Sequence, residues 1–185
     1  MKRALLIVDM QEAFFNTPGL AGKKQGLVAA CNHLIRSAKQ TGTPVFLVRT
    51  VHKRDKSTWT LNMLDDNKGF LFEGDSDTDY ATGLETEGTY EIIKTRDSTF
   101  WQTNLLSILK KHGVGSILLA GVSTHACVAE TARDAYNAGL RVEIAASAVD
   151  ADKNRYHQVT LDMLQDEYRM KITGRKPSRK PAVSK

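Results

Sequence analysis

Short apolar runs recur along the chain, and polar stretches with helical spacing separate them. The runs are ALLIV (4–8), VFLV (45–48), YEIIK (90–94), SILLA (116–120) and VEIAA (142–146). Each is rich in Val, Ile or Leu and lacks clean in–out alternation, the pattern of strands buried on both faces. Helical periodicity covers roughly 22–41, 101–112, 124–138 and 154–166, and a last short strand is expected near 169–173. Strand alternating with helix implies right-handed crossovers and a parallel sheet. The predicted fold is α/β: a three-layer α-β-α, Rossmann-like open parallel sheet of about six strands with helices on both faces. There is no internal repeat and no interdomain linker.

One stretch breaks this rhythm. Residues 50–89 are polar, contain glycines and show weak periodicity. Long irregular segments in compact domains are usually functional or disordered. Trp59, Phe70, Leu71 and Phe72 lie within it and argue against simple disorder. A substrate lid or a subunit contact is the expectation.

Open parallel sheets bind ligands beyond the carboxyl ends of their strands. After the first run come Asp9, Gln11 and Phe14; at the end of YEIIK stands Lys94; after SILLA comes GVSTHAC, ending in Cys127. A carboxylate, an amine and a thiol thus arrive at one rim from three strands. Taken singly, each has a plainer account. A Cys at a strand–helix turn is more often structural, an Asp after a strand often orients a loop, and a Lys ending a strand is usually solvated. The coincidence of all three favours chemistry. A helix N-terminus and a nearby Lys94 ammonium are expected to lower the Cys127 pKa. Ser123 or Thr124 is the expected helix cap. Asp9 is placed to accept the thiol proton.

Composition changes this picture little. The 185 residues fit one domain with a real core. The net charge of +5 comes from the end of the chain. Arg175, Lys176, Arg179, Lys180 and Lys185 leave 21 basic against 21 acidic residues elsewhere. Residues 1–173 are therefore read as a single domain and 174–185 as a basic tail expected to be disordered. No apolar run approaches membrane-spanning length. The start, MKRALLIVDMQ, resembles the opening of a leader, but Asp9 interrupts it and no small-residue cleavage site follows. A cytoplasmic protein is expected, with a core that binds neither nucleic acid nor membrane. Two cysteines do not make a disulfide framework; Cys31 lies at helical spacing among apolar residues and reads as core.

The chain resembles the isochorismatase-like cysteine hydrolases, the family of isochorismatases, nicotinamidases and N-carbamoylsarcosine amidases. The matching stretches are LLIVDMQEAF (5–14), IIKTRDSTFW (92–101) and LAGVSTHACVAETARDAYNAGLRV (119–142), with a weaker one at 147–164. The resemblance implies a catalytic triad of Asp9 as base, Lys94 as supporting cation and Cys127 as nucleophile. It implies a cis peptide between Val122 and Ser123 and an oxyanion site that includes the Cys127 N–H. Gln11, Phe14 and Trp101 would line the substrate pocket, and assembly would be a homo-oligomer, from dimer to larger ring. His157 also matches a family position but reads here as a helix-surface or core residue.

Two departures narrow the function. Nicotinamidases of the family hold a metal with an Asp-x-His pattern and a further His after the second strand. Here VRTVHKRDKST offers His52 alone, with Asp55 on the wrong side, and a lone His rarely makes a zinc site. No metal and no cofactor are expected. Isochorismate-cleaving members typically lack the nucleophilic Cys, so Cys127 favours C–N hydrolysis. The expected function is metal-independent hydrolysis of a small amide, carbamoyl or ureido compound through a thioester. Cleavage of another bond is one rival, and a non-catalytic oligomeric binding protein is another. A nucleotide-binding protein is disfavoured because no Gly-rich phosphate loop follows a strand.

Overall fold

The computed structural model describes residues 1–175, so residues 176–185 of the expected tail lie outside it. Six strands form one all-parallel sheet: β1 (Lys2–Val8), β2 (Val45–Thr50), β3 (Tyr90–Lys94), β4 (Val114–Val122), β5 (Arg141–Asp150) and β6 (Lys171–Thr173), in the order β3-β2-β1-β4-β5-β6. The helices are α1 (Glu12–Phe15), α2 (Pro18–Ala21), α3 (Lys24–Gln40), α4 (Leu61–Asp65), α5 (Leu105–Lys111), α6 (Ala129–Asn137) and α7 (Asn154–Asp166).

Two apolar layers sandwich the sheet. Leu6 and Val8 of β1 face Leu105, Ala132 and Leu161 from α5, α6 and α7. Leu5 and Ile7 face the other way, into Leu27, Cys31 and Ile35 of α3. Successive side chains on a strand point to opposite faces, so a strand covered by helices on both sides must be apolar throughout. That is why ALLIV shows no alternation. Truncating such a residue, Leu6→Ala for example, costs about 2–5 kcal/mol. Cys31 lies in the α3 layer, where burial pushes its thiol up to about 12.

The strand order reverses between β1 and β4. Their chains leave the sheet in opposite directions, opening a crevice at their carboxyl ends. Gly121 permits this meeting. Its φ is +112°, and a Cβ there would lie 1.9 Å from the Val8 carbonyl oxygen. β4 therefore approaches β1 at a distance only glycine allows.

Several elements differ from expectation. β3 is an edge strand with one open face, so YEIIK alternates between exposed and buried positions. The helix expected over 101–112 begins only at Leu105. Gln102 has a φ of +51°, and the Thr103 hydroxyl donates to the Thr99 carbonyl 2.6 Å away, so the chain turns before it coils. Two short helices, α1 and α2, fill the stretch before α3. Arg175 returns to α7, donating to Asp162 at 2.7 Å and Gln158 at 3.1 Å.

The 50–89 stretch is irregular yet well tied. His52 N donates to the Leu71 carbonyl at 2.7 Å, and Glu73 N to the His52 carbonyl at 3.0 Å. Trp59 packs on Phe72 with ring centroids 5.8 Å apart and donates from Nε1 to the Lys53 carbonyl. Among the described residues, no helix is long and apolar enough to cross a membrane.

Candidate active site

The β2–β3 register sets Thr50 beside Lys94, and β1 ends one residue before Asp9. These three side chains meet in the crevice, each fully or almost fully buried. Lys94 Nζ donates to Asp9 Oδ2 at 2.8 Å, to Thr50 Oγ1 at 2.6 Å and to the Arg96 carbonyl at 3.0 Å. It also lies 3.4 Å from Cys127 Sγ. Thr50 Oγ1 in turn donates to Asp9 Oδ1 at 3.1 Å. Both partners of the Asp9–Lys94 pair have side-chain exposures of 0%. Burial pulls Lys94 down, but the Asp9 carboxylate and Cys127 beside it outweigh that and hold the ammonium above its ordinary value.

Cys127 sits in a π-helical turn, Thr124–Val128, that leads into α6. Ala126 N and Val128 N both donate to the Ser123 carbonyl, at 3.1 and 3.2 Å. The Val122–Ser123 peptide bond is cis. The expected cap is not formed. Ser123 makes no side-chain cap, and Thr124 Oγ1 is instead hydrogen-bonded to His157 Nδ1 at 2.8 Å. His157 is thus a buried strut from α7 to the Cys turn, and burial lowers its pKa.

The thiol is not lowered in the resting site. Burial pushes it well above its ordinary value, the charges of Asp9 and Asp97 add to this, and Lys94 opposes without winning. The expected helix-terminus and Lys94 effects are overridden because removing the thiolate from water costs more than one cation returns. Cys127 is therefore a protonated thiol among carboxylates, and its Sγ lies 3.7 Å from Asp97 Oδ1.

Cys127 opens into a cavity of about 180 Å³, smaller than those that hold drug-sized ligands (about 300–1,000 Å³). Phe14, Met63, Phe70 and Leu71 supply its apolar wall; His52, Arg96 and Asp97 are its charged or titratable lining. Phe14, expected in the substrate pocket, lines this cavity. Gln11 does not line this cavity. Its side chain is buried and clamps the 50–89 stretch, donating to the Thr50 and Thr78 carbonyls at 2.9 and 2.7 Å and accepting from Thr50 N at 2.8 Å. Trp101, 54% exposed, stands in an adjoining depression that shares Arg96 and Asp97 with the cavity.

Sequence reasoning missed Thr50, Arg96, Asp97 and the cavity position of His52. A signal existed for each. Thr50 ends β2, which opens on the same rim, and His52 follows two residues on. Arg96 and Asp97 directly follow Lys94. Among the described residues, no group of three or more His, Cys, Asp or Glu is arranged to hold a metal ion.

A family model for the isochorismatase domain matches residues 3–174. The chain belongs to the isochorismatase family. A protein of Arabidopsis thaliana named a probable inactive nicotinamidase is 33% identical over 140 residues, 71% of each chain. Maleamate amidohydrolase of Pseudomonas putida is 27% identical over 177 residues, covering 90% of this chain and 81% of its own. The crystal structure of N-carbamoylsarcosine amidase from Thermoplasma acidophilum superposes with a TM-score of 0.78 at 25% identity, covering 93% of this chain and 95% of the other. The protein is a hydrolase of this family; of these relatives one is named an amidohydrolase and another an amidase.

Proposed function

We propose that the protein is a metal-independent cysteine hydrolase of a small amide, carbamoyl or ureido compound and works through a thioester. The observation that carries this reading is the thiol of Cys127, 3.4 Å from Lys94 Nζ, which is itself 2.8 Å from Asp9, at the wall of a small cavity. A thiol held protonated at rest needs a base that acts during attack, and Asp9 fills that role.

Sγ attacks the carbonyl carbon as Asp9 takes the thiol proton. The carbonyl π electrons move to oxygen, and backbone N–H groups of the Val122–Cys127 turn, including that of Cys127, stabilise the oxyanion. Asp9 then gives the proton to the leaving nitrogen. The C–N bond breaks, ammonia or an amine departs, and a thioester remains. Water attacks the thioester with Asp9 again as base, the acid product leaves, and the thiol is restored. Lys94 keeps Asp9 oriented and stabilises charge on sulfur. Among the described residues no group of three or more His, Cys, Asp or Glu is arranged to hold a metal ion, which supports the metal-independent reading.

This reading includes assembly into a homo-oligomer. Phe70 of the cavity wall, Trp101 of the adjoining depression and Leu61 are exposed apolar side chains, and sedimentation of the purified chain measures whether copies cover them. The relative named as inactive favours one rival, a binding protein without turnover.

Ammonia release from a panel of small amides, carbamoyl and ureido compounds separates the two. Wild type should release ammonia with or without chelator, and Cys127→Ala should not. Release that survives Cys127→Ala removes the mechanism. No release from any compound, together with a Cys127 that resists alkylation across pH, supports the binding protein.

A further inference from the structure

Lys94 is asked for more hydrogens than it carries. An ammonium has three. Four atoms stand around its Nζ: Thr50 Oγ1 at 2.6 Å, Asp9 Oδ2 at 2.8 Å, the Arg96 carbonyl oxygen at 3.0 Å and Cys127 Sγ at 3.4 Å. A neutral thiol is the weakest acceptor of the four. While the three oxygens each hold a hydrogen, none is left for the sulfur.

The direction of the Thr50 bonds is forced. An ammonium only donates and a carboxylate only accepts, so Oγ1 accepts from Lys94 and gives its single hydrogen to Asp9 Oδ1 at 3.1 Å. Lys94, Thr50 and Asp9 thereby close a ring of three hydrogen bonds. The Thr50 hydroxyl makes no other hydrogen bond among the described residues. Its backbone is fixed as well: the N–H donates to Gln11 Oε1 and the carbonyl accepts from Gln11 Nε2. Thr50 is buried, and so are both partners of its hydroxyl, so water does not take over these bonds.

We infer that Thr50 is a positioning residue: its hydroxyl competes with the Cys127 sulfur for the Lys94 hydrogens at rest, and anchors the ammonium while charge passes from Asp9 to the sulfur. This role rests on the hydrolase reading above. As Asp9 takes the thiol proton, the carboxylate becomes neutral and the sulfur gains the negative charge. The Lys94 hydrogen that pointed at Oδ2 then turns to Sγ, and no proton leaves Lys94. The bonds to the Thr50 hydroxyl and the Arg96 carbonyl join Lys94 to neutral groups, so they persist through the exchange and Nζ pivots in place. An apolar side chain of the same shape at position 50 has two effects of opposite sign. It frees a Lys94 hydrogen for the sulfur, which makes the thiolate easier to form. It also removes the anchor and the donor to Asp9 Oδ1, which slows turnover.

Asp9, His52, Lys94, Arg96 and Asp97 are the titratable or charged groups that face Cys127 from beyond β1, β2 and β3. His125 of its own turn stacks on Tyr156, and His157 of α7 bonds Thr124. Of all these, only Asp9 and Lys94 bond to the Thr50 hydroxyl, and Thr50→Val leaves every one of them in place. The test compares the full chain of wild type, Thr50→Val and Thr50→Ser. Alkylation of Cys127 by iodoacetamide is followed across pH by mass spectrometry. Turnover is followed as ammonia release from a panel compound that wild type hydrolyses. Thr50→Val should alkylate at lower pH than wild type, while its kcat falls about tenfold or more and its KM changes little. Thr50→Ser keeps the hydroxyl and should follow wild type in both. If Thr50→Val does not fold, Thr50→Ala takes its place with the same expectations. An alkylation profile that stays or moves to higher pH, an undiminished kcat, or a Thr50→Ser that behaves like Thr50→Val would each overturn the assignment. Failure of the hydrolase reading is separate: it appears as no ammonia release by wild type, and the alkylation profiles then still decide whether Thr50 withholds Lys94 from the sulfur.

Discussion

Two ion pairs leave the end of β1, and their contrast explains where the chemistry lies. Asp9 pairs with Lys94 at 2.8 Å, and Glu12 pairs with Lys24 at 2.6 Å. Each carboxylate also accepts from a threonine hydroxyl, Thr50 for Asp9 and Thr82 for Glu12. The difference is surroundings. The inner pair has no exposed side-chain surface, whereas the outer lysine and glutamate are 29% and 24% exposed. Only the inner pair has a thiol beside its ammonium. The outer pair ties α1 to the end of the irregular stretch through Thr82. A carboxylate, an ammonium and a threonine make a structural tie when wet. Dry, and next to a thiol, they are the groups that the proposed mechanism uses to move a proton.

The strongest way to break this comparison is to remove the thiol. Cys127→Ala should lower turnover at least about a thousandfold, because members of a catalytic unit do not substitute for one another. Steady-state ammonia release measures it, and a smaller loss would reduce the inner pair to a tie like the outer one.

The next contrast is between the lysines. Lys94→Ala leaves Asp9 charged and unpaired in the interior and should cost about 3–5 kcal/mol. Lys24→Ala removes a partly solvated partner and should cost at most about 1 kcal/mol. Urea midpoints of both variants test this, and equal losses would contradict the burial argument.

Asp97 sharpens the account of the thiol. Asp97→Asn takes away a negative charge that helps push Cys127 up, so the pH profile of thiol alkylation should move to lower pH. The shift should be partial, since burial is the larger cause. An unmoved profile would show that Asp97 does not act on the thiol.

The smallest effect concerns Glu12. Lys24 and then Thr82 lower its carboxyl from the ordinary 4.5 to about 2. A lowered carboxyl stabilises the fold above its unfolded value and loses that contribution as pH falls through its folded value. Glu12→Gln should therefore be slightly less stable than wild type at neutral pH, by about 1 kcal/mol or less. The gap should close between pH 4.5 and about 2. Thermal unfolding across acid pH measures the closure, and a gap constant with pH would remove the ionic contribution.

The sequence by itself determined the alternation of strands and helices, because strands covered on both faces must be continuously apolar. It also determined which side chains stand at the carboxyl ends of β1, β3 and β4, since chain position beyond a strand is a local property. Asp9, Lys94 and Cys127 were legible for that reason. Only the tertiary structure decided what depends on distance between strands. The β2–β3 register puts Thr50 into the cluster, the path of 50–89 makes Gln11 a clamp and His52 a cavity wall, and the exit from β3 brings Asp97 to the thiol. The direction of the Cys127 shift belongs to the same class. Lys94 nearby suggested a lowered thiol, but the folded site raises it, because desolvation grows with complete burial while a single cation is shared with Asp9. Composition and spacing can place charges on one rim; how much water they lose there is settled only when the helices and the irregular stretch close over it.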